Sequence, residues 1–330
     1  MNDFGVTDVV TIGETMVSLC PLTLELPLER AELFTRSVAG AESNVAIALA
    51  RLGHRARWIS RLGADPFGDL VLKTLRGEGV DVDFVTRDQT APTGVLFREF
   101  THAEPNAYYY RRYSAASRLS SSDWNPAWLA GARLLHVTGI TPALSPGCAA
   151  LTLDIMRHAR AMGIAVSFDP NLRRKLWDEA TARATLLEML ALCDVFLPGL
   201  EEARFLLGPF EPHELGERLL CFGPLLVALK LGAAGAMGFT SAQTLTLPAH
   251  AGRVIDPIGA GDAFDAGLLS GFLDDPALDP LSALEDRLPA ALERGNLMGA
   301  LATRGRGDWE GLPTRAGLAR AQRGESGVTR

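Results

Sequence analysis

Short apolar runs alternate with stretches of helical period along most of the 330-residue chain. Val9, Val10, Thr11 and Ile12 read as a strand closed by Gly13. Residues 134–137, 164–168, 195–197 and 225–229 repeat that form, apolar and too short for helices. Between them, Val45, Ala48, Leu49 and Leu52 share one helical face, with Asn44 expected as N-cap and Gly53 as stop. Ser145-Pro146 opens a second helix that ends at Gly163, with Pro at the first helical position. Alternating strands and helices predict an α/β fold with a central, mostly parallel sheet flanked by helices.

Two stretches break the alternation. Residues 17–35 carry Pro21 and Pro27 and no helical period. Residues 93–113 hold two β-rich runs, 94–101 and 106–113, around His102-Ala103-Glu104-Pro105, which reads as a hairpin. Together, about 16–35 and 92–113 are expected to form a small projecting β-sheet, a lid on a single domain spanning 1–330. The polar tail after about Arg315 is expected to fray.

Composition narrows the partners. A hydrophobic fraction of 47% and a charged fraction of 22% are ordinary for a folded soluble chain. The net charge of −7 argues against nucleic acid or an anionic membrane as partner, so an anionic ligand would need a locally basic site. Residues 222–239 form the longest apolar stretch, but Pro224, Lys230 and several glycines interrupt it, which excludes a membrane span. Cys20, Cys148, Cys193 and Cys221 lack any Cys-x-x-Cys pair and read as reduced thiols of a cytoplasmic protein. The histidines show no metal-ligand spacing.

The chemistry concentrates in Asp256-Pro257-Ile258-Gly259-Ala260-Gly261-Asp262, which runs straight into an apolar helical segment. A first helical turn offers free N–H groups and the positive end of the helix dipole, and so holds an anion. Asp262 in that turn competes with a bound anion unless it acts as a base beside the electrophile. Such an arrangement suits phosphoryl transfer from ATP to an alcohol, with a lid to keep water out. No Gly-Lys dipeptide, His-Arg-Asp triplet or dinucleotide-binding glycine fingerprint is present, so the usual nucleotide motifs do not explain it.

This motif resembles the C-terminal signature of the PfkB, or ribokinase-like, family of carbohydrate kinases. Ala39-Gly40-Ala41-Glu42-Ser43-Asn44 with Arg51-Leu52-Gly53 resembles the family's N-terminal signature. Leu62-Gly63-Ala64-Asp65-Pro66-Phe67-Gly68 and Lys230-Leu231-Gly232-Ala233-Ala234-Gly235 resemble two further landmarks, in order. Within the family the likeness is to the 2-keto-3-deoxygluconate kinases. It is carried by Gly13-Glu14-Thr15-Met16, Tyr109-Tyr110-Arg111 before Ser114-Ala115-Ala116-Ser117, and Asp169-Pro170-Asn171-Leu172-Arg173.

The resemblance implies a ribokinase-like fold and roles for particular residues. Asp262 would be the base, and Gly259, Ala260 and Gly261 would supply N–H groups to the transferred phosphoryl. Gly40, Asn44, Tyr109, Arg111, Ile140 and Arg173 would line a sugar-acid site, the two arginines offering forks to a carboxylate and its keto group. Arg112, Arg174 and Lys175 are the competing surface charges. Lys230, Gly232, Gly235 and Asn296 would lie along ATP, with Mg²⁺ carried mainly on the nucleotide. Asp256 would help hold a monovalent cation such as K⁺, and Glu202 would act near the Mg²⁺.

Two departures stand out. Gly199-Leu200-Glu201-Glu202 keeps the Glu of the family's Asn-x-x-Glu segment but has Gly in place of its Asn, and Leu96-Phe97 offers no substrate-facing Tyr hydroxyl. The lid's edges suggest a homo-oligomer. A fructokinase, a ribokinase, another sugar-acid kinase or a non-catalytic nucleotide- or sugar-binding regulator are the alternatives.

Overall fold

The computed structural model describes residues 7–24, 26–100 and 106–325. Its main sheet has eight strands. They run in the order Thr244–Leu247, Ala236–Phe239, Leu226–Lys230, Val195–Phe196, Ala165–Asp169, Ala132–Thr138, Thr7–Ile12, Ala56–Ile59. The six from Leu226–Lys230 to Ala56–Ile59 are parallel, and the two at the other edge are antiparallel. Strand side chains alternate between faces, and both faces are covered. Val9 and Leu134 pack into one apolar cluster with helix residues Ala48 and Leu268. Val10 and Leu135 enter the other with Ile155 and Leu186. Burial on both faces is why these strands read as continuous apolar runs.

A second sheet has the order Phe34–Ala39, Met16–Pro21, Val95–Glu99, Asn106–Tyr110. The hairpin is present as an antiparallel pair, and Met16–Pro21 joins it in parallel. The expected His102–Pro105 turn lies outside the described residues. Residues 16–35, expected to join this sheet, supply one strand and begin another, and the sheet extends beyond them to Ala39. Burial in this pair is concentrated at its root, in Met16, Val17, Ser18, Val38 and Ala39, with Pro21 buried at the far end. The outer residues Phe34, Thr35 and Arg36 are exposed and show no buried apolar alternation.

Two local expectations are corrected. The first helix is Ala41–Arg51 with Gly40 as N-cap, so Asn44 lies inside it and its backbone N–H donates to the Gly40 carbonyl at 2.8 Å. The side chain of Asn44 is thereby free for other work. Within the described residues the tail after Arg315 is not frayed: Arg315–Gln322 is a helix whose Thr314 hydroxyl caps Gly317 N. Leu318 buries against the core, and Arg315 pairs with Asp274.

Candidate active site

The parallel strands all end at one edge, and a cavity of about 470 Å³ opens there, the usual ligand position in an open α/β sheet. Glu14 follows the strand Thr7–Ile12, Ile140 follows Ala132–Thr138, Asn171 and Arg173 follow Ala165–Asp169, and Lys230 ends its own strand. Gly40, Asn44 and Gly259, Gly261 and Asp262 enter from two helix starts, and Tyr109 and Arg111 from the second sheet. Glu42, in the first turn of Ala41–Arg51, is fully buried, and its carboxylate fills the space a Cβ on Gly13 would need. It accepts from the Thr138 and Thr141 hydroxyls at 2.7 and 2.6 Å, and burial pushes its pKa up. That residue fixes the helix start beside the cavity.

The helix Ala260–Leu273 begins as expected. Gly259 is its N-cap at φ 76°, in the left-handed region, where only glycine is unstrained. A Cβ there would also lie 2.1 Å from the Asp308 carbonyl oxygen. Asp262 stands in the first turn, its Oδ2 accepting from Asn44 Nδ2 at 2.7 Å and its Oδ1 lying 3.5 Å from Asn171 Nδ2. Burial raises its pKa to about 7; the Asn44 bond opposes this, the charges of Asp169 and Asp308 add to it, and Arg173 lowers it. A carboxyl poised there can exchange a proton near neutral pH.

The cavity's cations are mostly spoken for. Arg111 is buried, as its neighbour Arg112 is not, and its Nε donates to Glu14 Oε2 at 2.6 Å. The Ser114 hydroxyl holds the other Glu14 oxygen, and the Tyr109 ring lies 5.7 Å from the Arg111 guanidinium. Lys230 Nζ lies 3.1 Å from both Asp169 and Asp265. Burial alone would push that lysine down, but Asp169, Asp265 and Glu202 more than offset it and hold it charged. Burial pushes Asp265 well above the carboxylate range, against the opposing charge of Lys230. Asp169 is also buried, yet Lys230 keeps it low and ionised. Among the described residues, Arg173 pairs with no carboxylate. The site is therefore basic at one guanidinium and one helix start, rather than throughout.

Other expected residues lie beside the cavity. Gly232 and Gly235 form a turn after Lys230 at φ 59° and 99°. A Cβ on Gly235 would meet the Leu247 carbonyl at 2.1 Å, and Asn296 Nδ2 donates to that same carbonyl at 3.1 Å. The turn and Asn296 thus share one wall without lining the cavity. Ala260 is in the anion-binding turn itself. Glu202 lines the cavity, but its oxygens accept from Leu172 N and Gly199 N, both at 2.7 Å. Asp256 sits behind the turn, lining a separate cavity of about 260 Å³.

Sequence reasoning did not single out Asp308, Arg98, Glu14 or Asp265 as site residues. Asp308 lines the main cavity, and burial raises its pKa to about 6, against the opposing charge of Arg98. Arg98 is its ion-pair partner. Their partners are distant in sequence, and no local motif marks them. Asp265 lies one helical turn beyond Asp262, a spacing that puts both on one face.

Comparison with known proteins agrees with this geometry. The pfkB family carbohydrate kinase model matches residues 6–315. The 2-dehydro-3-deoxygluconokinase of Bacillus subtilis (strain 168) is 40% identical over 316 residues, covering 94% of each chain. The structure of a putative ribokinase II from E. coli, in complex with ATP and Mg²⁺, superposes with a TM-score of 0.86 at 25% identity, over 96% of this chain and all (100%) of that one. A double-mutant fructokinase from Vibrio cholerae O395, with fructose, ADP and potassium bound, gives a TM-score of 0.82 at 30% identity, over 95% and 98% of the two chains. The chain belongs to the pfkB family of carbohydrate kinases.

Proposed function

We propose that this kinase transfers the γ-phosphoryl group of ATP to the terminal hydroxyl of 2-keto-3-deoxygluconate (2-dehydro-3-deoxygluconate), giving the 6-phosphate and ADP. One observation carries the reading: Asp262, raised to about 7, shares a cavity with Arg173, a guanidinium without a carboxylate partner among the described residues. The similarity to the Bacillus subtilis enzyme supports the same substrate.

Asp262 takes the hydroxyl proton as the oxygen attacks phosphorus. The new O–P bond forms while the bond to the β-phosphate oxygen breaks. The N–H groups at Gly259, Ala260 and Gly261 face the charge that develops on the phosphoryl oxygens. Arg173 forks onto the substrate carboxylate, and Arg111, held by Glu14, presents its remaining N–H groups to the same end. Gly40, Asn44, Tyr109 and Ile140 shape the sugar chain's path. The nucleotide lies along Lys230, Gly232, Gly235 and the wall that Asn296 braces.

Among the described residues no group of three or more His, Cys, Asp or Glu is arranged to hold a metal. The donors present fit Mg²⁺ carried on the nucleotide, and Glu202, which lines the cavity, would be the carboxylate that helps hold it. That ion neutralises phosphate charge when bound.

The second sheet exposes Phe34, Tyr108 and Tyr110, at 36%, 47% and 69%. A homo-oligomer that covers this sheet fits such a surface. Four free cysteines fit a cytoplasmic enzyme.

An ADP-release assay across 2-keto-3-deoxygluconate, its galactonate-derived epimer, fructose and ribose tests the assignment, with the product identified by NMR. The keto-acid is expected to give the highest kcat/KM and a 6-phosphate. Fructose or ribose turning over far better would overturn it in favour of a neutral-sugar kinase.

A further inference from the structure

Arg98 lies in the strand Val95–Glu99 of the second sheet, yet its side chain runs inward and is only 6% exposed. It ion-pairs with Asp308, and its Nη1 lies 3.8 Å from Asp256 Oδ2. Its Nε and Nη1 have no hydrogen-bond partner among the described residues. The guanidinium therefore stands beside two carboxylates at the anion-binding turn. Asp308 borders both cavities, and Asp256 only the smaller one.

The family resemblance assigns the place beside Asp256 to a monovalent cation, and the fructokinase relative has potassium bound. The residues here do not fit that arrangement. Asp256 is 1% exposed, and its Oδ1 and Oδ2 accept from Ile258 N and Gly307 N, both at 3.1 Å. A permanent positive charge is already close to it, because arginine does not lose its proton in a protein. A second cation at this carboxylate would be placed against that guanidinium in buried surroundings, where like charges repel strongly. Arg306 also borders the smaller cavity but is exposed, and Glu310 there is held by the Ser37 hydroxyl.

We propose that Arg98 is the built-in counter-ion of this site, a positioning residue that replaces the monovalent cation and makes phosphoryl transfer independent of K⁺. It acts through Asp256, which holds the N–H groups of Ile258 and Gly307, and through Asp308, whose carbonyl packs on Gly259. The charge arrives on the second sheet, so placing that sheet also completes the electrostatics behind the anion-binding turn. The inference rests on the kinase reading above, though not on the identity of the sugar.

The test compares steady-state rates in tetramethylammonium, sodium and potassium chloride at fixed ionic strength, using whichever sugar of the panel turns over best. A wrong substrate assignment therefore leaves the cation comparison intact. Wild-type kcat is expected to vary by less than about twofold among the three salts. Arg98→Met is expected to lose at least about tenfold in kcat, with part of the loss restored by K⁺ or added guanidinium ion. Arg98→Lys, which keeps the charge, should retain more activity than Arg98→Met and stay indifferent to K⁺. Activation of the wild type by K⁺ of about twofold or more would overturn the proposal, as would an Arg98→Met loss that neither cation relieves. Should Arg98→Met fail to fold, the wild-type comparison and Arg98→Lys decide the matter.

Discussion

Asn44 Nδ2 donates a 2.7 Å hydrogen bond to Asp262 Oδ2, joining the first turns of two helices 218 residues apart. The bond favours the ionised carboxylate, while burial and the charges of Asp169 and Asp308 favour the protonated one. The balance leaves Asp262 near neutrality. Asn44→Ala removes only the first influence. The acidic limb of the kcat/KM profile is expected to move up by about one pH unit. Activity near pH 6 then falls by about tenfold, while activity near pH 9 is largely kept. An unmoved limb would mean that Asn44 does not tune the base.

Asp262 itself links activity to stability. Asp262→Asn should lower kcat by roughly 10²–10⁴-fold and abolish the acidic limb, whose midpoint in the wild type is expected near pH 7, where burial places the Asp262 carboxyl (about 7). The raised folded-state pKa means that the native protein holds more protons than the unfolded chain between about 4 and about 7. Stability contributed by this group is thus present at low pH and is lost as pH rises through about 7. The loss has an upper bound of about 4 kcal/mol, which water in the cavity reduces. Asp262→Asn should therefore melt higher than wild type at pH 8 and at nearly the same temperature at pH 4. Thermal melts at the two pH values check the sign.

How much of this was legible in the sequence depended on how locally each feature is encoded. The strands around Val9 and Leu134 announce themselves because both faces are buried, and the start of Ala260–Leu273 because the Gly-Ala-Gly turn adjoins it. Phe34–Ala39 did not, because its outer residues Phe34, Thr35 and Arg36 are exposed with no buried apolar alternation, and its pairing with Met16–Pro21 supplies what the pattern lacks. Asn44 was read as a cap because its type suits one, whereas Gly40 takes that position and Asn44 turns to Asp262. The Arg98–Asp308 pair spans 210 residues and brings the second sheet to the C-terminal region, a relation no local motif carries.

Lys230 gives a prediction of a different kind. Its ammonium is the counter-charge of buried Asp169, and Asp265 also lies 3.1 Å from it. Lys230→Met leaves Asp169 ionised and unpaired, a change that costs about 3–5 kcal/mol. Adding Asp169→Asn removes the stranded charge. The double variant is expected to recover a large part of the stability lost by Lys230→Met in denaturant titrations, while KM for ATP stays raised in both. Equal instability of the single and double variants would show that Lys230 contributes through packing of its aliphatic stem instead.

Arg173 and Arg111 should separate in kinetics because only one of them is free. Arg111 is tied to Glu14, so truncating it strands a buried carboxylate as well as removing a donor. Arg111→Ala is therefore expected to lose thermal stability together with activity. Arg173 is exposed at the cavity and pairs with no carboxylate among the described residues, so Arg173→Ala should leave the melting temperature nearly unchanged. Losing a charge-assisted contact of about 1.5–3 kcal/mol corresponds to a rise in KM for the keto-acid of roughly 10–100-fold. KM for ATP should not move, because Arg173 lies with the sugar-facing residues rather than beside the turn after Lys230. Its charge also lowers the pKa of Asp262, so the same variant should shift the acidic limb slightly upward. A rise in both KM values by the same factor would remove Arg173 from the carboxylate and return it to the surface charges.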